Sequence, residues 1–240
     1  YFSNVLSQRH GGSLRSPDFI LDGDDVWLPN YLDVQVKRIQ ADPTIDVLYP
    51  NVLMFGGLSE AGEEFMTICP SNGEVTFERL LLQECNVSNC SIARKETIVR
   101  AGMFDESLRS VEDFDLWLRV IKDGGRIAYH RDVLARYRRR PGSLTADPIW
   151  LSEHILEVLR KVRQRDDLTP SERSTVDAQY EHFHALLRLH EGKRAFFSGD
   201  TAGAIDKLTE AKRFFRNRKT ALTLMMLRVA PRLLLRAYDL

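Results

Sequence analysis

Apolar and polar positions follow two rhythms along this chain. Asp18 to Leu21 is a short apolar run that stops abruptly at Asp22-Gly23-Asp24-Asp25. Such a run predicts a buried strand delivering acids to the loop at its C-terminal end. Pro29 at a first helical turn, followed by Tyr31, Leu32, Val34, Val36 and Ile39, predicts a helix to about Ala41, stopped by Asp42-Pro43. Ile45 to Tyr49 and Val52 to Phe55 predict two strands, with Gly56-Gly57 as the break. Residues 59–74 are polar and read as a loop or hairpin. Phe77 to Gln83 predicts a short helix, Ser91 to Ala93 a strand, and Lys95 to Ala101 a helix closed by Gly102.

In Glu112 to Ile121, Leu116 with Val120 and Trp117 with Ile121 recur at helical spacing, and Gly124-Gly125 ends the segment. Arg126 to His130 and Val133 to Arg138 predict two more strands. Strands alternating with helices predict an α/β layer fold, its sheet mixed but mostly parallel and flanked by helices. Beyond Pro148 the pattern becomes helical over 150–165 and 172–190. The reading is therefore an α/β domain over 1–147 and an all-α extension over 148–240. Gly192, Ala195, Ala204, Leu208 and Ala211 fall at the spacing of a tetratricopeptide-like hairpin, with Gly199-Asp200 at its turn; a plain helical hairpin fits as well. The segment 219–240 places Arg228, Arg232 and Arg236 on one stripe of an apolar helix, with a kink expected at Pro231. That stripe suits peripheral contact with anionic lipid, and equally the packing of the apolar side on the hairpin.

Composition adds little to fold but narrows partners. The chain has 240 residues, 43% hydrophobic and 28% charged, enough for one sizeable core and a smaller helical unit. Net charge is zero, yet 1–150 carry 17 basic and 22 acidic residues, and 151–240 carry 17 and 12. An acidic first part argues against nucleic acid as its partner and directs any anionic partner to the C-terminus. Cys69, Cys85 and Cys90 make no CxxC pair and read as free thiols in a reducing compartment. No stretch has the apolar length of a membrane span. The opening Tyr1-Phe2-Ser3-Asn4 reads as mid-domain, without a signal peptide. The expected location is cytoplasmic, with the inner face of the membrane as a peripheral site.

Chemistry concentrates in two places. Asp22, Asp24 and Asp25 crowd like charges, which a cation would hold ionised. Mg²⁺ or Mn²⁺ prefers oxygen ligands and completes its shell with substrate phosphates, so a D-x-D loop suits a nucleotide diphosphate. The same residues also suit a plain turn. Glu112 and Asp113 open a helix, where carboxylates are favoured by the free N–H groups, and Asp113 is the candidate capping acid. As chemistry, Asp113 is a candidate general base for an acceptor hydroxyl, with Glu112 beside it. Trp117, one turn on, is either core or a flat surface for a sugar ring.

Phe19-Ile20-Leu21-Asp22-Gly23-Asp24-Asp25-Val26-Trp27-Leu28-Pro29, then Asn89 to Lys95, then Ala101-Gly102-Met103-Phe104-Asp105-Glu106, then Glu112-Asp113-Phe114-Asp115-Leu116-Trp117-Leu118-Arg119, and finally Tyr137 to Ser143 occur in order. Together they resemble the family-2 glycosyltransferases of GT-A fold, from about Gln8 to Ser143. The resemblance implies a nucleotide-diphospho-sugar transferase in surface polysaccharide or glycolipid synthesis, acting on a saccharide or lipid-linked acceptor. It implies that Asp22 and Asp24 bind metal and donor diphosphate, that Arg138 and Arg140 lie near the diphosphate, and that Asp113 is the base of an inverting transfer.

Departures accompany it. Arg140 stands where the family's closing motif has histidine, which removes a third protein ligand for the metal. Ser13 to Pro17 is too short for the family's helix before the D-x-D strand. The family's nucleotide-binding strand–helix units have no counterpart before Tyr1, so the chain reads as a partial catalytic domain. Two competing readings remain: an aspartate-based phosphatase with Asp22 as nucleophile, and a non-catalytic adaptor working through its helical tail.

Overall fold

Val47–Gly56 and Ile127–Arg139 each form one long strand in the computed structural model, where the sequence suggests pairs of shorter ones. The structure describes residues 4–6, 17–21, 24–57, 61–140, 142, 146–216 and 218–230, with the backbone alone for 4–6, 17–21 and 219. The first unit runs β1 (Asn4–Leu6), β2 (Pro17–Leu21), β3 (Val26–Trp27), α1 (Tyr31–Ala41), β4 (Val47–Gly56), α2 (Phe65–Ile68) and α3 (Phe77–Leu81). It continues through β5 (Ile92–Arg94), α4 (Lys95–Arg100), α5 (Glu112–Lys122) and β6 (Ile127–Arg139). The second unit is helical: α6 (Pro148–Arg163), α7 (Pro170–Phe197), α8 (Thr201–Phe215) and α9 (Arg218–Val229). The chain divides between Ala146 and Asp147.

The merged strands have a common cause. Pro50 cannot donate to a ladder, so the β4–β6 register shifts on both sides of Asn51. Asn51, buried, repairs the gap. Its Oδ1 accepts the backbone N–H groups of Val52 and Met66 at 3.0 Å each, and its Nδ2 donates to Glu64 at 2.7 Å. The side chain thus accepts backbone N–H groups at the irregular stretch, and the strand continues.

The sheet order is β1-β2-β5-β4-β6-β3. It is mixed as expected, but the mostly parallel expectation is corrected. Among the described residues only β4 and β6 pair parallel, while β1–β2, β2–β5, β4–β5 and β3–β6 are antiparallel. A parallel pair needs a long crossover. The segment from β4 to β6 supplies one, but it also inserts β5 antiparallel between β2 and β4. The core beside the sheet joins Tyr31 and Ile39 of α1 to Leu48, Val52, Ile92 and Leu134. Helix α1 starts at Tyr31 with Asn30 as N-cap, so Pro29 lies before it rather than in its first turn.

In the second unit α7 runs to Phe197, beyond the expected 190, and opens with a capping box between Thr169 and Glu172. Gly192 lets α8 approach closely, since a Cβ there would stand 2.7 Å from Leu208 Cγ. Leu224 and Leu227 of α9 pack with Phe196, Ala204 and Leu208, so the apolar side of this helix does cover the hairpin. Pro231, Arg232 and Arg236 lie outside the described residues. No helix among the described residues is long and apolar enough to cross a membrane.

Candidate functional site

The walls of the site follow from local sequence. Trp27 and Tyr31 stack at 4.3 Å with rings 7° apart, fixing the turn between β3 and α1. Tyr31, fully buried, donates from its hydroxyl to the Cys90 carbonyl at 2.9 Å, and burial pushes its phenol well above the usual range. The proton therefore stays on Tyr31, and the bond holds the chain before β5 in place. Ser88 donates to the Pro50 carbonyl at 3.2 Å, tying the same segment to β4. Cys69 and Cys85 are thiols pushed up by burial, and Cys90 is also a buried thiol.

These ties frame a small, open cleft of about 80 Å³, below the roughly 300–1,000 Å³ usual for ligand pockets. Asp25 and Asp113 both line it, with Ser88, Asn89, Cys90 and Tyr137. Asp25 is 8% exposed. Its Oδ1 accepts the Arg138 backbone N–H at 2.8 Å, and its Oδ2 lies 3.8 Å from Cys90 Sγ. A buried carboxylate is tolerated only with such donors. Phe65 lines the cleft as well and meets Tyr137 edge-to-face at 6.0 Å.

Asp113 sits in the first turn of α5 but does not cap it. The N-cap is Val111, held at φ 55° and ψ 25°, and Asp113 Oδ1 instead accepts the adjacent Phe114 N–H at 2.7 Å. A β-branched residue in the left-handed region is strained, by roughly 1–3 kcal/mol. That strain lies two residues from the candidate base. The capping expectation fails because the helix starts at Glu112, which puts Asp113 inside its first turn rather than at the cap.

Asp24 lies one residue before the cleft wall and does not line it. Its carboxylate pairs with Arg140 at 3.0 Å, with side chains 37% and 61% exposed. An exposed pair of this kind contributes about 0–1 kcal/mol. Arg138 donates from Nε to the Asp24 carbonyl at 3.0 Å, and its guanidinium lies 4.4 Å from the Phe55 ring centre. The structure thus gathers Asp24, Arg138 and Arg140 into one cluster, and Asp25 with Asp113 into an adjoining cleft. Asp22 lies outside the described residues. Glu112 is partly exposed and does not line the cleft.

Trp117 is a correction. It is 2% exposed, within a run of buried residues from Asp115 to Leu118, so no face of its ring is open to a sugar. Two other residues of its motif, Asp115 and Arg119, are structural too. Asp115 and Arg119 pair at 2.7 Å, while Arg119 also donates to the carbonyls of Ala101 and, at 2.7 Å, Met103. This ties α5 to the turn after α4.

A resident Mg²⁺ or Mn²⁺ meets a poor set of partners among the described residues. No group of three His, Cys, Asp or Glu there is arranged to hold a metal ion. Asp25 is committed to Arg138, and Asp24 already faces a guanidinium. The described residues do not fit such an ion.

Among the polar cleft residues, Asn89 and Tyr137 carried no assigned role in the sequence, and Asp25 only that of one crowded acid among three. Each stands inside a recognised motif, and that adjacency was the available signal.

No protein-family model matches the chain. The amylovoran biosynthesis glycosyltransferase AmsE of Erwinia amylovora is 26% identical over 118 residues, which is 49% of this chain and 43% of that protein. The uncharacterized glycosyltransferase MJ1057 of Methanocaldococcus jannaschii is 27% identical over 119 residues, 50% of this chain and 40% of that protein. The chain therefore matches less than half the length of either relative. Among solved structures, residues 1–349 of S. aureus TarS in complex with UDP-GlcNAc align with a TM-score of 0.50 at 15% identity, covering 80% of this chain and 66% of that one. The fold is thus a mixed α/β arrangement similar to that structure, and the sequence is similar to glycosyltransferases.

Proposed function

We propose that this chain is part of an inverting, GT-A-type glycosyltransferase that moves a sugar from a nucleotide-diphosphate donor to an acceptor hydroxyl. The observation that carries the proposal is the shared cleft of Asp25 and Asp113. The last acid of the D-x-D-D run and the first-turn acid of α5 are 88 positions apart in sequence, and a plain turn or a plain cap gives no reason for them to meet.

In this reading Asp113 takes the proton of the acceptor hydroxyl as that oxygen attacks the anomeric carbon. The bond from that carbon to the diphosphate oxygen breaks, and the diphosphate leaves with the electron pair. One displacement inverts the anomeric centre. Arg138 and Arg140 balance the growing negative charge on the leaving group, where guanidinium forks match phosphate oxygens. With Trp117 in the core, Tyr137 and Phe65 are the cleft residues that offer an apolar surface to the acceptor sugar. Glu112 adds negative charge beside Asp113 rather than a second proton acceptor.

Donor and acceptor follow from the family resemblance: a nucleotide sugar, and a saccharide or lipid-linked saccharide of surface polysaccharide or glycolipid synthesis. UDP-GlcNAc, held by TarS, is the first donor to try. Leu222, Met225 and Val229 of α9 stay exposed beside Arg228, which suits peripheral contact with anionic lipid. Co-sedimentation with anionic vesicles, absent with neutral ones, checks that contact.

The function is tested by thermal shift of the full chain against a panel of nucleotide sugars. One donor should raise the melting temperature more than its matched nucleoside monophosphate does. A flat response to every donor would count against transfer.

A further inference from the structure

We infer that Val111 is a positioning residue for Asp113: as an N-cap that cannot cap, it leaves the Phe114 N–H to the Asp113 carboxylate. The inference rests on the transferase reading and adds to it what fixes the proposed base.

A helix start leaves its first N–H groups without partners inside the helix. The usual remedy is an N-cap in extended backbone whose side-chain oxygen accepts the N–H of the second or third helical residue. Helices α6, α7 and α8 follow this rule, capped by the side chains of Asp147, Thr169 and Asp200. Helix α5 departs from it twice. The Val111 side chain has no acceptor, and its backbone stands at φ 55° and ψ 25°. A β-branched residue is strained in that conformation.

The consequence falls on the third helical residue. Counting from Glu112, that residue is Phe114, whose N–H is one a side-chain cap would take. Here it donates to Asp113 Oδ1 at 2.7 Å instead. The bond restrains the side-chain torsions of Asp113, which lines the cleft. Both ends of the bond belong to one turn, and the helix behind them is anchored by the buried run from Asp115 to Leu118. A base held this way keeps its angle to the attacking oxygen.

Val111→Ser does the opposite. It favours extended backbone, supplies a cap that takes the Phe114 N–H, and so removes the bond that holds Asp113. Stability and transfer should then move in opposite directions at one residue, which a purely structural role does not produce. Val111→Gly accepts the left-handed backbone without strain and offers no acceptor, so the Asp113 bond survives.

Thermal melts and nucleotide release by the full chain test this. Wild type and both variants are given UDP-GlcNAc and then the rest of the nucleotide-sugar panel, with MnCl₂ present throughout so that no metal requirement decides the result. Water stands in for the acceptor: its oxygen attacks the anomeric carbon, Asp113 takes its proton, and the diphosphate leaves with the electron pair. Val111→Ser should melt about 2–4 °C above the wild type. It should also release nucleoside diphosphate about tenfold more slowly at saturating donor, with affinity for that diphosphate within about threefold. Val111→Gly should bring release back to within about threefold of the wild type. Val111→Ser that melts no higher, or releases at the wild-type rate, overturns the inference and leaves the transferase reading intact. Val111→Gly as slow as Val111→Ser does the same. No release by the wild type from any donor overturns both.

Discussion

Residues 1–146 and 147–240 are held together by polar bonds of different reach. In the first unit the decisive ones join distant parts of the sequence: Asp25 to Arg138, Tyr31 to Cys90, Gln35 to His130, Arg94 to the Ile45 carbonyl. In the second unit most are local. Asp147, Thr169 and Asp200 cap their own helices, and Arg188 pairs with Glu191 a turn away. Arg188–Glu210, Arg160–Tyr180 and Arg163–Asp177 are among the longer links there. Long-range bonds fix side chains whose positions matter to within an ångström, which a reactive site requires. Local bonds shape rods, and packing of their apolar stripes does the rest.

The largest effect should come where the first unit has no freedom. Gly56 adopts φ +121°, and a Cβ there would collide with the Arg139 carbonyl at the end of the β4–β6 ladder. Gly56→Ala should destabilise the unit by about 3 kcal/mol or more, read by urea denaturation, because backbone rather than a side chain must move. Gly124→Ala, at φ +80° with open space around it, should cost only about 1 kcal/mol. Equal losses would mean that the ladder end is not the constraint described above.

In the second unit the matching change is Gly192→Val, which presses on Leu208. Overpacking of this kind costs roughly 1–3 kcal/mol, and loss of helical circular dichroism at lower urea is the expected result. An unchanged midpoint would show that α7 and α8 separate at little cost.

A further effect is the pH dependence that His130 gives the first unit. His130 is lowered from 6.5 to about 4, by burial first and the Arg38 guanidinium second, against the opposing charge of Asp132. The unfolded chain then binds a proton that the folded chain refuses, so stability falls as pH drops from 6.5 toward about 4 and is restored above that window. His130→Gln should flatten this part of the stability profile, measured by thermal melts across it. An unaltered profile would assign the acid sensitivity to other groups.

What the sequence made legible divides along the same line as the bonds. Helices α1, α5, α6 and α7 were readable because apolar spacing and end signals are local. The turn glycines Gly102 and Gly124 were readable for the same reason. The joining of two apolar runs into β4 was not, since it depends on Asn51 reaching Met66 and Glu64. The direction of β5 was not, because a three-residue strand carries no sign of its orientation. Trp117 was misjudged since α5 is buried over more of its surface than its charged first turn suggests. Asp25 was passed over for Asp22 and Asp24, although among the described acids of that run it is the one that lines the cleft. Spacing showed that the three were crowded; the bond from Arg138 shows that Asp25, rather than Asp24, turns inward.

The account stands on Asp113 as the proton acceptor of that cleft. The direct measurement is sugar transfer by Asp113→Asn alongside its affinity for the donor nucleotide. Transfer should fall about 10²–10⁴-fold with donor affinity nearly unchanged, since the amide keeps the shape and loses the base. Transfer at the wild-type rate would contradict the assignment.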